Sequence, residues 1–228
     1  MQEYLRSESI NRGGRKTEYE IWSFRGLLSV LFSNVYPLIR SNLCFLLFCI
    51  PVITIPSAIS AQYKICIDII RQKKTRIFRT YVETLKESFL NSIIVTVFLS
   101  VLIVLGLYGS WFYFGTREQS VFSSLLGLVT AGIALISFLM FPSAHLMLMI
   151  TDLPVKLVLK NAMILTFLNC KYTILSGVIS IALVLFQYVY FLRFWPLTIT
   201  VGISLAVYLS AHLNLYGVQR YVLRDTIS

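Results

Sequence analysis

Side chains that carry most enzyme chemistry are scarce in this sequence and rarely stand together. The two histidines, His145 and His212, fall in different segments. His145 lies among Met140, Met147 and Met149, but no second metal-type residue stands at i+3 or i+4, where a helix would bring it onto the same face. His212, two residues before Asn214, reads as one half of an interhelical hydrogen-bonding pair. The cysteines Cys44, Cys49, Cys66 and Cys170 form no CxxC and have no histidine at ligand spacing, so they read as small apolar residues. There is no Walker loop, no HExxH, no GxSxG and no paired carboxylates facing a common cleft. The sequence therefore predicts no metal, no cofactor and no catalytic residue, and the chain reads as non-enzymatic.

The elements that would have to position any site are apolar to an unusual degree. Of 228 residues, 57% are hydrophobic and only 13% charged. The mean hydropathy is +0.77, beyond what a soluble fold can bury. A bilayer core of about 30 Å needs roughly 20 apolar residues per crossing helix. Windows free of Asp, Glu, Lys and Arg run from Phe89 to Phe114, Val121 to Ile150, Thr173 to Leu192 and Phe194 to Val218. None alternates as a barrel strand would, so helices are the expected solution. The fold class predicted is an all-α integral membrane protein, a polytopic bundle of about five spans: 27–56, 89–114, 121–150, 173–192 and 194–218. A basic polar segment, 1–25, precedes the membrane domain, 26–228. It has no cleavage site within a signal peptide's length and is expected to be retained.

The net charge of +10 sits in the connections. Lys64, Arg71, Lys73, Lys74, Arg76, Arg79 and Lys86 precede Phe89, while Lys156, Lys160 and Lys171 lie two spans later, and Arg220 and Arg224 follow the last span. The opposite connections hold Arg117 and Arg193. The positive-inside rule puts connections 57–88 and 151–172, with the C-terminus, in the cytoplasm. The aromatic residues sit mostly in or beside spans, which argues against nucleic-acid binding. The basic N-terminus is ambiguous, because a single crossing before Lys64 would place it outside.

The first apolar stretch, Leu27 to Ile59, is longer than one crossing needs and carries Asn34, Pro37, Arg40, Asn42, Pro51 and Pro56. Prolines at 51 and 56 break a helix and push Ile50 and Ile55 toward extended geometry. Two readings fit. Either the break is a re-entrant element lining a pocket, with Asn42 and Thr54 supplying polar groups, or it is a helix end with Pro56 opening the next helix. Arg40 either lines a cavity or snorkels to a headgroup.

Ser57 to Lys74 places Ile59, Tyr63, Cys66, Ile67 and Ile70 at helical spacing, with Lys64, Asp68 and Arg71 positioned to pair, and reads as an amphipathic helix on the inner leaflet. Arg76 to Phe89 reads as a second, with Phe78, Val82, Leu85 and Phe89 on its apolar face. Asp152 and Pro154 signal the start of a third helix, Val155 to Asn169. Along the last span Thr198, Gly202, Ala206, Ser210 and Asn214 recur every fourth residue, a small polar stripe suited to close helix contact. Ser123, Gly127 and Ala131 form another, and Ser176 with Ser180 a shorter one. Homo-oligomers would be built through such stripes as readily as a single bundle. No Asp or Glu falls in a window read as a span, which disfavours ion-coupled transport.

The run NLCFLLFCIPVITIPSAISAQY, Asn42 to Tyr63, resembles the signature of the YesL family of small bacterial membrane proteins. There an Asn-Leu-Leu opens an apolar span that ends in a Pro-Val-Val-Thr-Ile-Gly type turn, followed by a Pro-Ala-Thr-Ala-Ala-Leu type helix. Asn42, Leu43, Pro51, Val52, Thr54, Ile55, Ala58 and Ala61 stand at matching places, while Pro56 and Ser57 depart from the usual Gly and small residue. The likeness continues through YVETLKESFLNS, Phe141-Pro142, Leu159 to Asn169 and YLSAHLNLYGVQRYV. The resemblance implies a bacterial cytoplasmic-membrane protein of unknown reaction, commonly encoded beside carbohydrate ABC importers.

The function expected is that of an accessory or regulatory partner of such an uptake complex. The basic residues Lys64, Arg71, Lys73, Lys74, Arg76 and Arg79 would dock anionic lipid or a partner's acidic groups. The alternative is a small-solute permease or channel built on a cavity at Asn42, Pro51, Thr54 and Pro56. An intramembrane enzyme would need a catalytic residue such as His145 or His212.

Overall fold

The structure is a computed structural model describing residues 24–73, 76–115, 120–189 and 202–221. Lys74, Arg193, Thr198 and most of segment 1–25 lie outside the described residues. Every regular element among the described residues is helical. In chain order these are α1 (Phe24–Ser33), α2 (Val35–Phe48), one 3-10 turn (Val52–Thr54), α3 (Ile55–Ile70), α4 (Ile77–Glu87), α5 (Phe89–Gly115), α6 (Val121–Ile150), α7 (Val155–Leu168), α8 (Cys170–Val189) and α9 (Ile203–Tyr221).

By length and composition α5 and α6 can each cross a membrane, and α7 with the first part of α8 adds a third candidate if this pair, bent by 98° at Asn169, is one span. Their outward side chains agree: Phe98, Val104, Leu105, Trp111, Phe122 and Leu128 are all exposed. An apolar surface of that extent suits hydrocarbon, not water. The two helices form a hairpin whose seam admits no side chain at Gly106. A Cβ there would stand 2.7 Å from the Thr130 carbonyl oxygen and 2.9 Å from Ala134. Gly127 meets the Phe114 ring in the same seam. Pro142 removes one backbone bond inside α6, and the residues directly after it, Ser143 to Leu148, are buried.

The stretch expected as one proline-broken span, 27–56, is divided at Asn34 and again after Phe48. At 14 residues α2 is about 21 Å long, shorter than the hydrocarbon core. It folds back against α3 through the Pro51 turn, making a helical hairpin whose tip residues Ile50, Val52 and Ile53 are exposed.

The largest departure from the sequence reading is α3. Expected to lie on the membrane surface with one wet face, it is enclosed on almost every side, packed by α2, α4, α5, α6 and α9. Ala58, Ala61, Ile65 and Cys66 are fully buried, and so are Ser57, Ser60 and Gln62. Small residues at 57, 58, 60 and 61 let neighbours approach closely, which is what an interior helix needs. Asp68 is 3% exposed and pairs with Lys64 at 3.6 Å. Asp68 is thus a buried carboxylate on a helix outside the uncharged windows read as spans.

α4 is amphipathic as expected, but its buried face is Tyr81, Thr84 and Leu85, while Phe78 is exposed. The rotation follows from Tyr81, whose hydroxyl donates to the Ala58 carbonyl at 2.8 Å while its ring stacks on Phe48 at 5.4 Å.

Candidate functional site

Three consecutive polar clusters radiate from α3 because Ser60, Gln62 and Tyr63 point in different directions around a helix that turns 100° per residue. Polar groups away from water seek partners on neighbouring helices, and each of these residues finds them on a different set.

Gln62 faces α2 and α9. Its carbonyl oxygen accepts from Ser41 Oγ at 2.8 Å, and its amide donates to Ser204 Oγ at 2.9 Å. Asn42 Oδ1 accepts the Ser204 N–H at 3.0 Å, so a side chain from α2 is tied to the backbone of α9. Ser204 Oγ also stands 3.0 Å from the Leu38 carbonyl oxygen. Asn42, considered above as the lining of a cavity, is fully buried in this joint.

Ser60 faces α5 and α6. Ser92 Oγ donates to Ser60 Oγ at 2.8 Å, Ser60 Oγ stands 2.8 Å from His145 Nδ1, and Thr96 Oγ1 lies 3.3 Å from His145 Nε2. Each ring nitrogen of His145 thus faces one hydroxyl, Ser60 on Nδ1 and Thr96 on Nε2, with the donor in each pair set by the tautomer. A serine hydroxyl directed at an imidazole would be a nucleophile and its base in a wet cleft. Here both residues are fully buried, with the rings of Phe141 and Tyr63 at 4.6 and 5.9 Å from the imidazole.

Tyr63 faces α9, its hydroxyl 3.3 Å from Ser210 Oγ. One turn on, Asn214 joins three helices. Its carbonyl oxygen accepts from Ser143 Oγ at 3.3 Å and Thr173 Oγ1 at 3.2 Å, and its amide donates to Ser176 Oγ at 3.1 Å and to the Ser210 carbonyl at 2.9 Å. All four hydrogen-bonding positions of the carboxamide are engaged. Within the last-span stripe Gly202, Ser210 and Asn214 are buried and Ala206 is half-buried. His212 is buried beside the Tyr208 ring.

The Pro51–Pro56 break lies away from these clusters. Thr54 Oγ1 donates within the turn itself, to the carbonyls of Phe48 and Pro51, and Ser57 Oγ donates to the Thr54 carbonyl at 3.0 Å. Pro51 is exposed and Pro56 half-buried. Arg40 is exposed on the outer side of α2, its guanidinium 4.4 Å from the centre of the Tyr36 ring. Arg71 and Lys73 are half-buried at the end of α3, and Arg76 and Arg79 are exposed at the start of α4.

Two clefts open at the ends of these helices. One of about 500 Å³ lies between α1, the start of α2 and the α3–α4 turn, with Ser29, Ser33, Asn34, Gln72 and Lys73 as its polar lining. The other, of about 390 Å³, joins α3, α4, α5 and the end of α6, and is lined by Lys64, Glu87, Asn91 and Asp152 among others. Neither includes Thr54, Ser60 or His145. Among the described residues no three of His, Cys, Asp and Glu stand together as a metal site would require.

Sequence reasoning identified Asn42, Ser210 and Asn214 as polar groups of interest, but missed Ser41, Ser60, Gln62, Tyr63 and Ser204. The signal for α3 was present: polar residues on several sides of one helix, Ser60, Gln62 and Tyr63, leave no single apolar face for a surface helix to bury.

No curated protein and no solved structure matches the chain. Residues 38–109, which run from α2 into α5 and carry Ser41, Asn42, Ser60, Gln62, Tyr63 and Ser92, match a family described as protein of unknown function, DUF624.

Proposed function

We propose that the chain is a non-enzymatic, multi-pass protein of the bacterial cytoplasmic membrane. In this reading it has about five crossings, its C-terminus inside, and serves as an accessory partner of a membrane uptake complex. The observation that carries this reading is the closed interior. Gln62, His145 and Asn214 are engaged by other helices of the same chain, and Thr54 by its own turn. A permease built on the Pro51 break would need polar groups facing a path, and the geometry of Thr54 gives that rival no support. The YesL resemblance overlaps the matched residues 38–109, and its association with carbohydrate importers makes such an importer the candidate partner.

The docking surface is the outer face of α4, where Arg76, Arg79, Glu83, Lys86 and Glu87 are exposed. Arg79 is tied to Glu83 at 2.7 Å, and that hydrogen bond holds its guanidinium above the ordinary value, so it stays cationic. Replacing Arg76, Arg79 and Lys86 together by Gln should reduce co-purification with the importer's membrane subunits and lower sugar uptake, while leaving insertion intact. Unchanged capture and unchanged uptake would reject the accessory role. Solute flux into vesicles containing this protein alone would establish the permease instead.

A further inference from the structure

We propose that α2 and α3 form a re-entrant hairpin that enters the inner leaflet from the cytoplasmic side and returns, seating Ile50, Val52 and Ile53 against lipid acyl chains. It replaces the first of the crossings counted above with a turn-back, and brings the N-terminal segment to the cytoplasmic face. The hairpin rests on α5 and α6 crossing the membrane, and only its side rests on the orientation proposed above.

The sequence sets the frame. Ser41 to Tyr63 is free of Asp, Glu, Lys and Arg and is flanked by Arg40 and Lys64. As one straight helix these 23 residues would be about 34 Å long, enough to cross. The chain instead turns at Pro51, near the middle of the run. Ser41 Oγ donates to Gln62 Oε1 at 2.8 Å, so the two ends of the run stand side by side, and Arg40 and Lys64 return to one level.

That level is the end of the crossing helices. Lys64 shares a cleft with Glu87 and Asn91 at the start of α5 and with Thr151 and Asp152 at the end of α6. One turn back toward the tip, Ser60 Oγ lies 2.8 Å from His145 Nδ1, more than a turn inside the end of α6. Following α3 back toward Pro51 therefore leads into the bilayer. From Lys64 to Ile55 is about 14 Å along the helix, so the tip reaches at most about half of a 30 Å hydrocarbon core. α1 stays at the other end, where Ser29 and Val30 line a cleft with Ile69 and Gln72, and its 10 residues are too few to cross. With the N-terminal segment on this face, Arg6, Arg12, Arg15 and Lys16 join Arg71 and Arg76 on the basic side, which satisfies the positive-inside rule.

The tip itself suits acyl chains. Ile50, Val52 and Ile53 are 76%, 77% and 68% exposed, and Leu43 and Leu47 continue the exposed apolar surface up α2. Three adjacent side chains of this kind would be costly in water. Backbone at membrane depth has to find partners within the protein, and this turn supplies several of its own. Pro51 and Pro56 carry no N–H. The amides of Ile50 and Thr54 bond to the Leu47 and Pro51 carbonyls at 3.4 and 3.0 Å, and Thr54 Oγ1 donates to the carbonyls of Phe48 and Pro51.

The test uses the full-length protein carrying Cys44→Ala, Cys49→Ala and Cys170→Ala, which leaves only the enclosed Cys66. Ser9→Cys, Ile53→Cys, Arg76→Cys and Val121→Cys are introduced singly. A membrane-impermeant maleimide, applied to intact cells and to inverted vesicles, gives the side of each thiol. A nitroxide on the same thiols gives their relative access to oxygen and to a water-soluble nickel complex. Ser9→Cys and Arg76→Cys should react from the inner face, Val121→Cys from the outer, and Ile53→Cys from neither. The oxygen-to-nickel ratio at position 53 should exceed that at position 76 several-fold. Reaction of Ser9→Cys and Arg76→Cys from opposite faces makes the stretch a crossing and overturns the proposal, as does a nitroxide at position 53 as open to nickel as one at position 76. Both reacting from outside would reject the orientation proposed above and leave the hairpin standing. With the native cysteines in place, Ile53→Asp should lower membrane-inserted protein several-fold and Ile53→Leu should not. Equal amounts of the two would likewise overturn the hairpin.

Discussion

Gln62 and Asn214 each direct both ends of a carboxamide to other parts of the bundle, yet the two differ in how visibly they announce it. Asn214 closes a four-residue repeat of small polar residues inside an uncharged window, so its place at a helix contact could be read from spacing. Gln62 sits two residues before Lys64, and the charges of Lys64 and Asp68 made the whole segment look like a surface. Their mutual neutralisation at 3.6 Å is what allows the helix inside, and no single-sequence signal reveals that neighbours will cover it. Replacing Gln62 by Ala takes from Ser41 its acceptor and from Ser204 one of its donors and should cost about 1–3 kcal/mol of stability, seen as a lower midpoint of denaturation in detergent. At residue 72 the expected sign is opposite. Gln72→Gly relieves a left-handed residue with a Cβ and should raise stability by up to about 1 kcal/mol.

Among the elements, α5 and α6 were the most legible, because freedom from charge over 26 or more residues has one outcome in a chain this apolar. The windows from Phe89 and from Val121 agree with the observed helices at both ends to within a residue. The α2–α3 hairpin was less so. Pro51 and Pro56 marked a break, but whether it opened a cavity or turned a corner depended on where the Thr54 hydroxyl went, and that is decided by the local carbonyls. The face of α4 was misjudged by hydrophobicity alone: Phe78 outranks Tyr81 on any apolar scale, but only Tyr81 has a hydroxyl to satisfy the Ala58 carbonyl. Close packing of α5 on α6 yields a paired prediction. Gly106→Ala places a methyl against the backbone of the partner helix and should destabilise by about 1–3 kcal/mol. Gly132→Ala, where a Cβ meets nothing within 4 Å, should be neutral or stabilise by up to about 1 kcal/mol. Comparable losses in both variants, measured by thermal unfolding in detergent, would refute the seam.

At the scale of the molecule, partners for the central helix come from both directions along the chain. Ser41 precedes Gln62 by 21 residues, whereas Ser204 follows it by 142 and Ser210 follows Tyr63 by 147. Ending the chain after residue 200 removes α9, and with it the groups that receive Gln62 and Tyr63. Such a truncation should insert α5 and α6 but be degraded several-fold faster than the full chain in a pulse-chase experiment. Equal lifetimes would mean that α3 does not depend on α9.

The enclosure of α3 also dictates an order of events during biogenesis. Ribosomes deliver this helix early, when most of what will surround it has not been made, and its amide, hydroxyls and carboxylate are ill suited to wait in hydrocarbon. Until α9 emerges, the nascent chain has to be sheltered, either at the aqueous boundary or by the insertion machinery. Assembly then finishes in one late step, and proteases that survey the bilayer would meet an incomplete chain as an exposed polar helix and a finished one as a sealed bundle.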